Sequence, residues 1–171
     1  MFEFLQKKIN ETISISDEEF EYAKTLFIPK KLRKKRFLLH DGDPCIYTTF
    51  VEKGLLRSFR IDDKDSSTSE YNIEALEDSE LLLITKPSWD KLLHEVPAFE
   101  HYFRILIQNN LIATQRRLMG TMSSTAEERY NKLLQEFPDI AQRVPQHMIA
   151  SYIGVTRETL SRLRSQLASG S

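Results

Sequence analysis

Residues 145–167 read PQHMIASYIGVTRETLSRLRSQL, and this stretch decides how the C-terminal part of the chain folds. Its apolar spacing predicts two short helices, the first over about 146–153 and the second from Thr156 onward. Gly154 stands where a helix C-terminus needs a positive φ, which glycine adopts without steric cost. Thr156 fits the N-cap of the second helix, with Thr159 at the N3 position. The stretch therefore predicts a helix-turn-helix motif with a glycine in its turn.

The second helix of this motif has an apolar stripe and a polar surface. Leucines at 160, 163 and 167 form the stripe. The polar residues elsewhere on the helix are Arg157, Glu158, Ser161, Arg162 and Arg164. Residues 141–171 carry four arginines against one glutamate, a net charge of +3, so that the rest of the chain carries −4. A basic end on an acidic body is what contact with phosphates requires. The spacing alone also fits a solvated amphipathic helix that only closes a bundle.

Residues 150–162, ASYIGVTRETLSR, resemble the helix-turn-helix of the Crp/Fnr transcription regulators. The recognition helix of that family commonly carries Ser or Thr, then Arg-Glu, Thr or Ser, Leu or Val, Ser or Gly, and Arg. The resemblance implies an α+β chain in three parts. Residues 1–96 would form a jelly-roll-like β-roll of the cyclic-nucleotide-binding type with N-terminal helices, and residues 97–120 a dimerisation helix. Residues 121–171 would form a winged-helix-type DNA-binding domain, whose completeness is left open.

The same resemblance implies a homodimeric, sequence-specific DNA-binding regulator with no catalytic activity. Arg157, Glu158 and Arg162 would face the major groove, where arginine donates to guanine and glutamate accepts from cytosine N4. Contacts to phosphates would come from Thr156, Thr159, Ser161 and Arg164, which position the protein without specifying sequence. Two such helices would lie about 34 Å apart on a pseudo-palindromic site of double-stranded DNA. RNA polymerase is a further partner that this kind of protein implies.

The N-terminal half predicts helices followed by short strands. Residues 1–27 have helical apolar spacing, interrupted where Ser16 and Glu19 fit a capping box. Residues 37–84 are rich in β-branched and aromatic residues, with turn signals at 41–44, at Lys53-Gly54 and at 77–79, as in a small sandwich or barrel. Residues 30–36, KKLRKKR, hold six basic residues. We interpret them as a solvated strand edge, although a nucleic-acid patch has the same composition.

Residues 87–119 predict a long helical region that is apolar on more than one side. Such a helix must bury both sides, either against a partner or inside its own subunit. We favour a dimer interface, and its candidate residues are Phe99, Phe103, Leu106, Asn110 and Ala113. A polar Asn110 at the seam would set the register of the two helices. A break is expected at 120–125, and we expect an effector in the roll to act through this hinge on the spacing of the recognition helices.

The sequence does not support binding of a cyclic nucleotide, and no cofactor is predicted. The family's phosphate-binding cassette would fall between Ile61 and Tyr71, which here enclose only DDKDSSTSE. No glycine occurs between Gly54 and Gly120, and three aspartates in the segment would repel a phosphate. Either the chain lacks the cassette, or a loop between Ile61 and Tyr71 is missing from this sequence.

Composition excludes several other classes of protein. The chain has 171 residues, a net charge of −1 and one cysteine, so a disulfide framework within one chain is excluded. No apolar run approaches the roughly 20 residues of a membrane span, and no signal peptide is evident, so a cytoplasmic protein without a membrane partner is expected. The four histidines have no metal-ligand spacing, which argues against a cupin-like enzyme and predicts no metal. The alternative from another class is a small-molecule or cyclic-nucleotide binding module that binds no DNA.

Overall fold

The structure is a computed structural model, and it describes residues 1–59 and 71–169. Six strands and eight helices are assigned within these ranges. The helices and strands of the N-terminal part are α1 (Glu3–Asn10), α2 (Asp17–Leu26), β1 (Ile28–Leu32), β2 (Phe37–Leu39), β3 (Tyr47–Lys53), β4 (Leu56–Phe59), β5 (Asn72–Ala75), β6 (Ser79–Thr85) and α3 (Lys86–Glu95). They are followed by α4 (Pro97–Ser123), α5 (Ala126–Glu136), α6 (Ile140–Arg143), α7 (Gln146–Ile153) and α8 (Arg157–Ser169).

The chain divides into two units, Met1–Leu106 and Ile107–Ser171, and the division falls inside α4. The long helical region expected over 87–119 is two helices, because the chain leaves helical geometry at Val96, just before Pro97. Helix α4 ends at Ser123 rather than at 120. The domain bounds 1–96, 97–120 and 121–171 remain a prediction.

The first unit contains two antiparallel sheets, each of three strands. Their strand orders are β1-β6-β3 and β2-β5-β4. The central strand β6 is apolar on both faces, as a strand buried on both sides should be. Leu82 and Ile84 pack in the cluster that includes the N-terminal helices, whereas Leu81 and Leu83 pack with residues of the second sheet. Over the described residues 37–59 and 71–84, this double burial confirms the small sandwich or barrel that the sequence predicts.

Glycine is required at the hairpin between β3 and β4. Gly54 has a φ of +105°, and a Cβ atom there would lie 2.7 Å from the Cα of Ser79. No L-residue fits a site that is both left-handed and this crowded. The chain reversal predicted at Lys53-Gly54 is therefore confirmed.

The two N-terminal helices begin in different ways. Helix α2 begins with the predicted capping box, in which the Ser16 hydroxyl accepts from the Glu19 N–H and the Glu19 carboxylate accepts from the Ser16 N–H. Helix α1 has no local side-chain cap. Instead, the carboxylate of Glu52 on β3 accepts hydrogen bonds from the backbone N–H groups of Phe4 and Leu5, at 2.7 and 3.1 Å. A residue 47 positions away thus satisfies the N-terminus of α1.

The basic run KKLRKKR begins inside β1, which is an edge strand. The strand starts earlier than predicted, because Pro29 is tolerated at an edge where its missing N–H removes no essential bond. All six basic side chains of residues 30–36 are exposed, and only Leu32 is buried. This agrees with the interpretation as a solvated edge.

The regular elements among the described residues of the second unit are all helices. Its core contains Tyr130 and Leu133 from α5, together with residues of α7 and α8. No strand lies among the described residues 107–169, so the two strands of a wing are not among them. Within the described parts of the chain, no helix is long and apolar enough to cross a membrane.

Candidate nucleic-acid interface

The first helix of the predicted motif, α7, ends at the glycine that the sequence singles out. Gly154 has φ 70° and ψ 43°, which is left-handed backbone. Its N–H donates to the Ser151 carbonyl, and the Val155 N–H donates to the Ala150 carbonyl at 2.9 Å. These two bonds are the pair that defines a Schellman motif, and they satisfy carbonyls that the helix leaves open. Backbone hydrogen bonds on either side of left-handed Gly154 thus hold the turn.

The second helix, α8, begins at the predicted cap. The Thr159 N–H donates to the hydroxyl oxygen of Thr156 over 3.2 Å, and the two hydroxyl oxygens lie 3.0 Å apart. A threonine cap satisfies one of the open N–H groups at a helix N-terminus. The cap places Arg157 and Glu158 in the first turn, where side chains reach the floor of a groove most easily.

One side of α8 is buried against the rest of the motif. Leu160 is completely buried beside Ile149, Ala150 and Ile153 of α7, and Leu167 packs against the same cluster. Small Ala150 lets the two helices approach each other. The predicted stripe is thus confirmed at Leu160 and Leu167, whereas Leu163 is half-buried and does not belong to this cluster.

The opposite side of α8 is exposed over its whole described length. We call this side the α8 outer face, and it consists of Arg157, Glu158, Ser161, Arg162, Ser165 and Gln166. The three predicted base-contact residues all belong to it. Of the predicted phosphate contacts, Thr156 and Ser161 are exposed, whereas Thr159 and Arg164 are half-buried on the flank between the two sides.

The electrostatics of the α8 outer face keep its one carboxylate charged. The pKa of Glu158 is lowered, first by its own backbone N–H and then by the Thr156 hydroxyl, with smaller contributions from the charges of Arg157 and Arg162. At neutral pH the ionised Glu158 carboxylate therefore only accepts hydrogen bonds, whereas Arg157 and Arg162 on the same face only donate them. Such a set of donors and acceptors can read base edges in a major groove.

The candidate dimer residues of α4 differ widely in exposure. Phe99 is buried in the core of its own unit, at 2% exposure, so the prediction that it contacts a second subunit is wrong. It packs with Tyr102 because the first turns of α4 cover the same core as α2 and α3. Phe103 is half-buried against Trp89. Leu106, Asn110 and Ala113 are exposed, as an interface with a partner requires.

Five large apolar residues that the predicted dimer contacts omit are also exposed on α4, namely Ile107, Leu111, Ile112, Leu118 and Met119. We call Ile107, Leu111 and Leu118 the α4 seam; they are 51%, 56% and 62% exposed. Their spacings of four and seven residues place them on one side of the helix. The sequence indicates a second apolar side on this helix. Only the exposed fractions in the structure distinguish the α4 seam, which is exposed, from Phe99, which is buried.

Two residues outside the predicted contacts, Tyr152 and Arg129, also lie in or beside the motif. Tyr152 is 54% exposed, and the guanidinium of Arg117 lies 5.9 Å from its ring centroid. Arg129 donates to two backbone carbonyls, that of Ser124 five residues before it and that of Ile153 at the end of α7, 24 residues after it. No sequence pattern predicts these hydrogen bonds, because every arginine on an amphipathic helix has similar neighbours in sequence.

The predicted location of a cyclic-nucleotide cassette is the segment between Ile61 and Tyr71. Of this segment, the structure describes only Tyr71. The predictions about that segment therefore stay predictions. Among the described residues, no group of three or more His, Cys, Asp or Glu side chains is arranged to hold a metal ion.

A two-sheet roll, a long helix and a helix-turn-helix together define the fold of the Crp/Fnr regulators, and this chain has that fold. Solved structures with the same fold include the c-di-GMP responsive global regulator CLP of Xanthomonas campestris. It superposes with a TM-score of 0.72 at 15% identity, over 91% of this chain and 93% of that chain. FixK2 from Bradyrhizobium japonicum gives a TM-score of 0.69 at 19% identity, over 84% and 85% of the two chains.

A catabolite activator protein from Thermus thermophilus also has this fold, with a TM-score of 0.53 at 19% identity over 92% of this chain and 85% of that chain. Among curated proteins, the transcriptional regulatory protein btr of Bordetella pertussis is 30% identical over 103 residues. The match covers 54% of this chain and 43% of btr, so it spans less than half of that relative's length. No protein-family model matches the sequence.

Proposed function

We propose that this chain is a sequence-specific DNA-binding transcription regulator of the Crp/Fnr type that acts as a homodimer. The observation that carries the proposal is the α8 outer face. Arg157, Glu158 and Arg162 stand exposed on a helix whose other side is packed and whose start is capped. The similarity to btr, a transcriptional regulatory protein, supports the same function.

Each of the three residues has a defined chemical role in this proposal. Arg157 and Arg162 donate bidentate hydrogen bonds to guanine O6 and N7, and Glu158 accepts from cytosine N4. Thr156, Thr159, Ser161 and Arg164 contact phosphates and set the position of the helix in the groove. Base contacts then decide the preferred sequence, while phosphate contacts supply affinity for any duplex.

The partner that completes the regulator is a second copy of the chain. The α4 seam offers apolar side chains at coiled-coil spacing, and association through it would remove them from water. Two copies related by a two-fold axis present two recognition helices, which fits a pseudo-palindromic site with half-sites about 34 Å apart. RNA polymerase is a further partner under this proposal, and the cytoplasm is where such a regulator meets its DNA.

The proposal includes no cyclic nucleotide. CLP is c-di-GMP responsive, but here the segment DDKDSSTSE offers aspartates and no glycine to a phosphate. Calorimetric titration with cyclic AMP and with c-di-GMP should therefore give no heat of binding. Saturable binding of either nucleotide would overturn this part and leave the DNA-binding part untouched.

Selection of bound duplexes from a random pool tests the function. The wild-type chain should enrich one pseudo-palindromic sequence, and its affinity should fall steeply between 50 and 200 mM salt, by about 10³-fold for six phosphate contacts. The double variant Arg157→Ala/Arg162→Ala should enrich nothing. Lys86→Ala, which changes an exposed cation at the start of α3, serves as the matched control and should enrich the same sequence.

The two competing functions give different results in this experiment. A small-molecule binding module whose helical end only packs would enrich no sequence and bind no duplex at low salt. That result would exclude the proposed function. Enrichment by the double variant equal to that of the wild type would show that the α8 outer face is not the reading surface.

A further inference from the structure

The guanidinium of Arg129 joins two parts of the second unit that are separated in sequence. Its Nε donates to the carbonyl of Ile153, the last residue of α7, over 2.8 Å. Its Nη1 donates to the carbonyl of Ser124, which lies between α4 and α5. We call this pair of bonds the Arg129 bridge. It connects the hinge that follows the long helix to the turn of the helix-turn-helix.

The chemistry of the bridge favours arginine over other residues. The carbonyls at a helix C-terminus lack partners within the helix and carry its negative dipole end, which attracts a cation. Both bonds are charge-assisted and part-buried, so water screens them less than bonds at an exposed site. Two donors in one rigid plane can span two carbonyls, whereas the single ammonium of lysine is a point charge.

Apolar packing joins α5 to α7, because Leu133 and Ile153 belong to one buried cluster, but no described residue of α4 belongs to that cluster. A cavity of about 370 Å³ opens between α4, α5 and the end of α7, and Ser124, Arg129, Ile153 and Gly154 are among its lining residues. An open space provides no interlocking side chains, so the direction of the packed α5 and α7 relative to the end of α4 depends on polar contacts at this point. The Arg117 guanidinium near the Tyr152 ring is a second, weaker contact beside the same cavity.

We propose that Arg129 is a positioning residue that sets the direction of the helix-turn-helix relative to the end of α4, and thereby the half-site spacing that the dimer accepts. This inference rests on the proposed function for its consequence on DNA. Without the bridge, the motif would still fold around its own core, because Leu160 and Ile149 do not depend on Arg129. It would then turn about the hinge and tolerate half-sites at more than one separation.

A series of duplexes that differ only in the spacer between half-sites tests the consequence. Each base pair added or removed shifts a half-site by about 3.4 Å. In Arg129→Lys, the preference for the best spacer over its neighbours should fall by about tenfold, the factor for loss of one charge-assisted hydrogen bond. Arg116→Lys, the same change at an exposed arginine of α4, should keep the wild-type preference. Equal loss of affinity at every spacer would mean that Arg129 only stabilises the fold.

A second measurement separates this proposal from the function on which it rests. Spin labels on Gln115→Cys and Gln146→Cys, in a Cys45→Ser chain diluted with unlabelled protein, report the distance between α4 and α7 without DNA. The distance distribution should broaden in Arg129→Lys and in Arg129→Gln, each checked for helix content by circular dichroism. An unchanged width in a folded variant would disprove the bridge as a positioning device. A wild type that binds no duplex would refute the regulator function alone.

Discussion

The hydroxyl oxygen of Thr156 accepts a hydrogen bond from the backbone N–H of Thr159 over 3.2 Å, and α8 begins at this bond. The bond holds the first turn, where Arg157 and Glu158 are exposed. Thr156 therefore has a structural role and a proposed role in DNA binding. Its side chain caps the helix, and its position next to the turn puts it within reach of a phosphate.

Removal of this cap should loosen the start of α8. Thr156→Ala should reduce the free energy of unfolding by about 1 kcal/mol, because an open N–H group loses its partner. Faster amide hydrogen exchange at Thr159 and Leu160 would report the change. Thr156→Ser keeps the hydroxyl and should exchange as the wild type does; if both variants behave alike, the cap contributes nothing.

Two glycines of the second unit should respond to alanine in opposite directions. Gly154→Ala should lower the free energy of unfolding by about 1–2 kcal/mol, since an L-residue is strained at φ +70° although nothing crowds the site. Gly120→Ala lies inside α4, with its nearest contact at 3.7 Å, and should raise it by about 0.5–1 kcal/mol. Thermal unfolding measures both, and a shift of the same sign in the two variants would contradict the assigned conformations.

Two arginines of α8 should affect DNA binding differently. Arg162→Ala should cost about 1–3 kcal/mol on the preferred site and relax the preference at one base pair. Arg164→Ala should weaken binding to all duplexes alike and reduce the salt slope by about one. Fluorescence anisotropy against a set of single-base variants distinguishes these outcomes. A uniform loss for Arg162→Ala would make that residue a phosphate contact.

The charge of Glu158 should persist into mildly acidic solution. Its lowered pKa means that folding favours the carboxylate, so its contribution to stability is present above the ordinary value of 4.5 and is lost as pH falls through the lower folded value. The preference for the base that Glu158 reads should therefore be equal at pH 7.5 and 5.5. An NMR titration of the side-chain carbon gives the pKa directly, and a value above 4.5 would contradict the hydrogen bonds described here.

A charge on the α4 seam should separate the two subunits. Leu111→Glu places a carboxylate where an apolar side chain would be buried against its partner, and its desolvation opposes association. Sedimentation should show a monomer. The affinity advantage of the pseudo-palindrome over a single half-site should be smaller than in the wild type. Gln108→Glu adds the same charge at an exposed neighbour and should remain dimeric. A dimeric Leu111→Glu would place the interface elsewhere.

Local patterns predicted much of the fold. The capping box at Ser16, the turn at Gly54 and the ends of α7 at Gln146 and Ile153 follow from interactions among neighbouring residues, and all were confirmed. Helix α4 begins at Pro97, where the separate dimerisation helix is expected to begin, because a proline is acceptable at the first position of a helix. Strand β1 was missed in part because Pro29 argues against a strand unless the strand lies at an edge.

The assignment of apolar residues to one core or another was beyond the sequence. Phe99 and Leu111 have the same helical surroundings and similar hydrophobicity, yet Phe99 is buried in its own unit and Leu111 is exposed. The difference depends on which other elements cover each turn of α4. That covering is a property of the packed chain and not of the spacing within the helix.

The sequence by itself determined the helix-turn-helix, because the glycine turn, the threonine cap and the leucine stripe depend on residues spaced only three to five positions apart. It also determined which side of α8 carries the arginines. Only the tertiary structure decided that Glu52 caps α1 and that Arg129 donates to the carbonyl of Ile153. Hydrogen bonds between residues distant in sequence form only once the chain has folded, since their partners meet through the packing of other elements.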